Sequence, residues 1–439
     1  MVPLRLAGLL SFLAASLAAQ QPDSPAVPRA TDLTFAPGTL TERVASSISR
    51  AQQYAVYLPT TWRRDRPAPV MLLMDPRGRA LAPMRLVRER AERYGWVVLS
   101  SWNTLSDWDN QPNVDAMSAM LTDLQRIFLP DASRLYLAGF SGTARFAWEE
   151  ALAMRGHVAG VIGVGAGVPP GFDYAPPGTS GPFPFDFFGT VGSRDFNYEE
   201  LLTLETDLAR RGIAHRVRYH DGPHAWPPRG VMEEALDWME LRAVVRNLEP
   251  PRGAWLDSLY SETMQRAADR ALAGDTLGAL RQYRAVAADF AGVHEVSEPA
   301  ARAEALGRTR AAKEALKKET RLIAENREYL KRLVGFLRRY HSARDLPPLE
   351  QNLKTLEITR LLAAEQDTRD TVTALAATRL LSHVMAAAGF YEPRDYLAAG
   401  DSARAKGMLQ IAGAVRPGPN RDPDAVFKAL VEQVRQGHP

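Results

Sequence analysis

From about residue 50 to residue 248 the chain alternates between two hydrophobic patterns. Short strand-like runs, most of them apolar, occur at 53–58, 70–74, 96–101, 134–138, 158–164, 185–190 and 216–220. Between them, apolar positions recur at helical spacing over 84–94, 114–128, 144–155, 198–211 and 231–247. Runs rich in Val, Ile, Leu and Phe, separated by amphipathic helices, predict a parallel sheet covered on both faces. In such a sheet, functional side chains sit just beyond the carboxyl ends of the strands.

The pattern changes after "NLEPPRG" (247–253), where a proline pair marks a boundary. Beyond it strand signals vanish, and helices are predicted over 255–273, 276–290, 299–340, 349–366 and 371–388. Two pieces, "ADRALAGDTLGALRQYRAVAADF" and "RDYLAAGDSARAKGMLQIAGAVRP", share a Gly-Asp turn followed by small and apolar residues at helical spacing. They resemble tetratricopeptide repeats, where small residues let paired helices approach closely. The expected organisation is a signal peptide (1–19), a linker (20–38), a catalytic α/β domain (39–248) and a helical, tetratricopeptide-like domain (254–435).

Composition adds constraints. The 439 residues are 46% hydrophobic and 24% charged with a net charge of +3, ordinary values for a globular chain of two or three domains. There is no cysteine, which excludes disulfides, thiolate nucleophiles and cysteine-based zinc sites. The opening "MVPLRLAGLLSFLAASLAAQQPDSP" places Arg5 before an apolar run and small residues at Ser16 and Ala18. This predicts export, with cleavage near Ala18 or Ala19, into a bacterial periplasm or beyond. No later segment is expected to cross a membrane.

The candidate chemistry starts at "RLYLAGFSGTARFAW". A strand, a Gly-x-Ser turn and a helix present Ser141 as a nucleophile would be presented, although Thr143 stands where the G-x-S-x-G pattern has glycine. A serine hydroxyl needs a base to take its proton and a third group to orient that base. Asp195 follows the strand in "FDFFGTVGSRDFNYEEL", and His224 follows the strand in "RVRYHDGPHAWPP". The order Ser, acid, His on successive strand ends assigns Ser141 as nucleophile, His224 as base then acid, and Asp195 as orienting group. Each residue has a plainer explanation: a tight turn for Ser141, a cap on the helix near Tyr198 for Asp195, an ordinary loop for His224.

Competing residues fit less well. His220 lies at the end of its strand. Its spacing of four from His224 suits a metal only on a helix, which Gly222-Pro223 prevents. Asp186 falls too early in its strand, and Ser180 has no strand before it. For the oxyanion hole, the N–H of Gly142 is one expected donor. The loop "DPRGRA" supplies the other from Arg77 or Gly78, Pro76 having no N–H. The Thr143 hydroxyl is expected to face the cleft. The segment "VPPGFDYAPPGTSGPFPF" is expected to form an aromatic rim over an open site.

Residues 40–248 resemble the α/β-hydrolase superfamily. The carriers are "YAVYLPTTW", "MLLMDPRGRA", "RLYLAGFSGTARFAW", "GTVGSRDFNYEEL" and "DGPHAWP". They are most similar to the secreted esterases grouped with polyhydroxybutyrate depolymerases and feruloyl or acetylxylan esterases. The resemblance implies an eight-stranded core, no cofactor, no metal, and ester hydrolysis through an acyl-enzyme. Expected substrates are acylated carbohydrates, small esters or polyester oligomers. The helical half has no counterpart in those esterases.

Two alternatives stand beside this reading. One is a serine peptidase, weakened by the lack of a β-propeller. The other is a catalytically weak scaffold whose helical repeats bind a protein partner. The segment 308–344 holds Arg308, Arg310, Lys313, Lys317, Lys318, Arg321, Arg327, Lys331, Arg332, Arg338, Arg339 and Arg344, and reads as the solvated face of an amphipathic helix. No nucleic-acid module is recognisable.

Overall fold

The computed structural model describes residues 27–106, 110–169, 171, 183–416 and 422–435. Its centre is an eight-stranded sheet of order β1-β2-β4-β3-β5-β6-β7-β8. The strands are β1 Leu40–Ala45, β2 Gln53–Tyr57, β3 Ala68–Met74, β4 Val97–Ser101, β5 Pro130–Phe140, β6 Val158–Val164, β7 Asp186–Gly192 and β8 His215–His220. β2 runs antiparallel to both neighbours, and β4, β3, β5, β6, β7 and β8 pair in parallel. This is an α/β-hydrolase sheet, as the resemblance implies.

Alternation along each strand divides the core into two layers. In β3, Val70, Leu72 and Met74 face one layer with the helices α2 Gln111–Asp123, α3 Gly142–Ala153 and α4 Tyr198–Arg210. Met71 and Leu73 face the other, with α1 Leu81–Tyr94 and α5 Arg229–Val245. Burial on both faces is why the central strands β3 and β6 are apolar along their length.

Two expectations differ from the fold at the amino-terminal side. Strand β1, "LTERVA", was not anticipated, because an edge strand with polar outward positions carries no apolar run. Within the expected linker, residues 27–38 pack on the sheet domain: Ala30 is buried, and the Phe35 ring lies 4.9 Å from that of Phe128. The signal-peptide residues and most of the expected aromatic rim, Ser180 included, lie outside the described residues.

The remainder is helical: α6 Gly253–Leu272, α7 Thr276–Asp289, α8 Ser297–Arg308, α9 Arg310–Ser342, α10 Leu349–Thr355, α11 Ile358–Glu365, α12 Thr371–Ala386, α13 Glu392–Ala398, α14 Ser402–Val415 and α15 Pro423–Arg435. Two expected helices are each broken in two. Thr309 is extended and caps α9 by accepting the Ala312 N–H, and Glu357 adopts φ 53° between α10 and α11. The two Gly-Asp turns share one geometry. Gly274 and Gly400 take left-handed φ values of 78° and 80°, and Asp275 and Asp401 cap the following helices. Each turn joins a packed pair, α6 with α7 and α13 with α14.

The helical part shares a core with the sheet part. Leu241 and Val244 of α5 pack with Leu256, Leu259, Val286 and Phe290. Arg216 of β8 is buried between Glu234 and Asp289. The expectation that no later segment is long and apolar enough for a membrane needs correcting. Thr371–Ala398, a run of helix through α12 and α13, meets that criterion by length and composition. Part of its apolar surface, including Leu380, Leu381 and Val384, packs into a core with Tyr329 and Leu333 of α9.

Candidate active site

The parallel register brings five strand ends to one edge. Met74 pairs with Gly139, Phe140 with Val164, Val164 with Thr190, and Gly192 with His220. Ser141, Asp195 and His224 each follow one of these ends. Ser141 sits between β5 and α3 with φ 56° and ψ −124°, a strained conformation for a residue with a side chain. The turn brings backbones so close that a Cβ at Gly139 would overlap the Thr143 carbonyl. A Cβ at Gly142 would run into the Ser106 side chain.

Thr143 does not face the cleft. It is fully buried, and its hydroxyl accepts the Phe140 N–H at 3.0 Å. The same oxygen lies 2.7 Å from the Met74 carbonyl, to which it donates, and 2.9 Å from that of Phe140. The threonine therefore ties the elbow to the end of β3, a role that needs a hydroxyl on the buried side of the turn.

Ser141, His224 and Asp195 come together. His224 Nε2 is 2.9 Å from Ser141 Oγ, and Nδ1 is 2.9 and 2.8 Å from the two carboxylate oxygens of Asp195. With the proton on Nδ1 donated to Asp195, Nε2 is left to accept the serine proton. Asp195 is 1% exposed, so its charge faces the imidazole in a dry setting. Gly165, at φ 62°, forms the floor: a Cβ there would stand 3.0 Å from His224 Cε1. The rings of Phe140 and Phe196 flank His224 at 4.7 and 4.3 Å.

The acid loop is braced by backbone hydrogen bonds. The N–H groups of Ser193 and Arg194 donate to the carbonyls of His220 and Gly222, linking it to the histidine loop. Asn197, which sequence reading passed over, donates its N–H to Asp195 Oδ1 at 2.8 Å and its side-chain amide to the Gly165 carbonyl at 2.7 Å. Asp195 thus orients the imidazole and also closes the turn before α4.

The expected oxyanion donors divide. Gly142 opens α3, so its N–H has no acceptor within the helix. Arg77 and Gly78 differ from expectation: the Arg77 N–H donates to Asp75 Oδ1 at 2.8 Å, and the Gly78 N–H donates to the Asp75 carbonyl at 3.1 Å. The buried Asp75 carboxylate also binds the Arg79 guanidinium and accepts the indole N–H of Trp226 at 2.7 Å. Asp75 therefore joins the loop after β3 to the loop carrying His224. Only its position after a strand signalled it.

The competing residues are accounted for elsewhere. His220 Nδ1 lies 3.2 Å from Thr190 Oγ1, and burial, aided by Arg218, holds its pKa below the ordinary value. Asp186 begins β7, at the opposite end from the site, and pairs with Arg242 and Arg246. Among the described residues, no group of three or more His, Asp or Glu side chains is arranged to hold a metal ion.

No protein-family model matches the chain, and no curated protein matches it. Several solved structures are similar to parts of it. The fluorophosphonate-binding serine hydrolase F of Staphylococcus aureus is 16% identical over 46% of this chain and 98% of its own, with a TM-score of 0.38. An S-formylglutathione hydrolase from Agrobacterium tumefaciens is 15% identical, covering 46% and 94%, with a TM-score of 0.35. The feruloyl esterase module from Clostridium thermocellum is 13% identical, covering 52% and 94%, with a TM-score of 0.36.

Proposed function

We propose that the chain is an exported serine hydrolase that cleaves carboxylic esters. The observation that carries this reading is the continuous chain of hydrogen-bonding contacts from Ser141 Oγ through His224 to Asp195. Ser141 Oγ attacks the ester carbonyl while its proton passes to His224 Nε2. Asp195 stabilises the imidazolium, and the Gly142 N–H faces the developing oxyanion. The imidazolium protonates the leaving alkoxide, which departs and leaves Ser141 acylated. Water, deprotonated by His224, then releases the acid. Small esters, acylated carbohydrates and polyester oligomers are the substrate classes to try.

Asp75 competes with the oxyanion for the Arg77 N–H, and this favours the second reading of a weakly catalytic scaffold with a protein-binding helical part. Labelling with a fluorophosphonate probe separates the two. The esterase reading expects covalent labelling of the wild type and none of Ser141→Ala, with a loss of ester hydrolysis of at least about 10⁴-fold. A wild type that stays unlabelled at millimolar probe favours the scaffold. Export is tested by fractionating cells and sequencing the mature amino terminus, expected near Gln20.

A further inference from the structure

The helix α12 places Arg379, Ser382 and His383 at spacings of three and four, on one helical face. That face meets the acid loop. Arg379 Nη1 donates to the Ser193 carbonyl at 3.1 Å, and its guanidinium lies 4.4 Å over the Tyr198 ring. Ser382 Oγ lies 3.3 Å from the Arg194 carbonyl and shares its proton with the Thr378 carbonyl of its own helix at 2.9 Å. The His383 ring stands 5.7 Å from Phe196, whose ring also packs on His224 at 4.3 Å. The neighbouring helix α9 adds to this hold: the Asn326 amide donates to Glu199, and Arg327 Nη2 donates to Thr203 Oγ1 at 3.1 Å.

Resting on the hydrolase reading, we propose that the helical half completes the active site: Arg379, Ser382 and His383 are positioning residues that fix the loop 193–198 and so hold Asp195 against His224. The backbone bonds from the histidine loop reach only Ser193 and Arg194. The same two residues are gripped from the opposite side, through their carbonyls, by α12. Residues on both sides of Asp195 are therefore contacted from the helical half: Ser193 and Arg194 before it, Phe196 and Tyr198 after it. The inference reverses the expectation that the chemistry is confined to residues 39–248.

The other charged and titratable groups around the loop are engaged elsewhere: Arg194 pairs with Asp221, Arg379 lies over Tyr198, and burial lowers the pKa of both His220 and His383.

The test uses the full-length protein with p-nitrophenyl acetate and a fluorophosphonate probe. Arg379→Met is expected to lower kcat by about 10- to 100-fold with KM changed less than about twofold. Arg379→Lys restores part of kcat, and Ser382→Ala costs about two- to fivefold. Should Arg379→Met fail to fold, the double variant Arg379→Lys with Ser382→Ala carries the same test. A folded variant with wild-type kcat overturns the inference. So does an activity loss matched by lost folded fraction, or one that falls on KM instead of kcat. A wild type that neither labels nor hydrolyses instead sinks the hydrolase reading, and the inference with it.

Discussion

The sheet half and the helical half hold the same loop by different physical means. From the sheet side, the acid loop is fixed by main-chain hydrogen bonds to the histidine loop and by Asn197 closing the turn on Asp195. From the helical side, it is held by side chains of one helix acting on its carbonyls and on Phe196. Main-chain pairing follows from strand register, so most substitutions leave it intact. Side-chain contacts between distant segments depend on each residue individually. The first kind of support belongs to the fold, and the second is where one chain can differ from another of the same fold.

The largest effect is expected from Gly192→Ala. A Cβ there would overlap the carbonyls of Gly222 and Pro223, forcing the acid and histidine loops apart. Overpacking against backbone is expected to cost about 1–3 kcal/mol in urea denaturation, with a larger loss of kcat than Arg379→Met gives. Equal effects from the two variants would mean that the main chain is no stiffer a support than α12.

The next effect is a pH dependence on the helical side. Burial, opposed by Asp195 and a hydrogen bond to the Phe196 backbone, lowers the His383 pKa to about 4. The unfolded chain binds a proton below the ordinary value near 6.5, whereas the folded chain does so only near 4. The stability from this residue is therefore complete above pH 6.5 and lost as pH falls toward 4. His383→Phe should remove this part of the difference between pH 7 and pH 5, roughly 1–3 kcal/mol, by chemical denaturation. An unchanged slope would place the acid sensitivity elsewhere.

Smaller effects probe each half alone. Thr143→Val keeps the shape but leaves the Phe140 N–H and the Met74 carbonyl without the hydroxyl, and is expected to cost about 1–2 kcal/mol. Asp401→Ala removes a helix cap and should cost about 1 kcal/mol, with no change in kcat. A kcat that follows Asp401→Ala would show coupling between the repeat-like turns and the site.

Much of this architecture was legible in the chain. Strand-like runs marked seven of the eight strands, and all but β8 were largely apolar, because a strand buried on both faces carries few polar positions. The residues just past three of those runs are the ones the fold brings together, since parallel strands deliver their ends to a common edge. What stayed hidden has identifiable causes. β1 is an edge strand without an apolar run, and the breaks at Thr309 and Glu357 are single-residue events inside continuous helical periodicity.

The Asp75 contacts were hidden for a different reason. Whether a loop N–H faces a substrate or its own carboxylate depends on a side-chain rotamer and on the Trp226 indole from a loop 151 residues away. The same holds for Thr143: its sequence position suggested a cleft-facing hydroxyl, and packing turned it toward β3.

By itself, then, the sequence determined which segments form strands and helices, and the order in which Ser141, Asp195 and His224 emerge from the sheet. These follow from local periodicity and from the rule that parallel strands share a polarity. The tertiary structure decided that Thr143 faces inward, that Asp75 takes the Arg77 N–H, and that α12 lies against the acid loop. Contacts between residues 186 and 188 positions apart leave no period in the sequence, because they depend on how two finished surfaces meet.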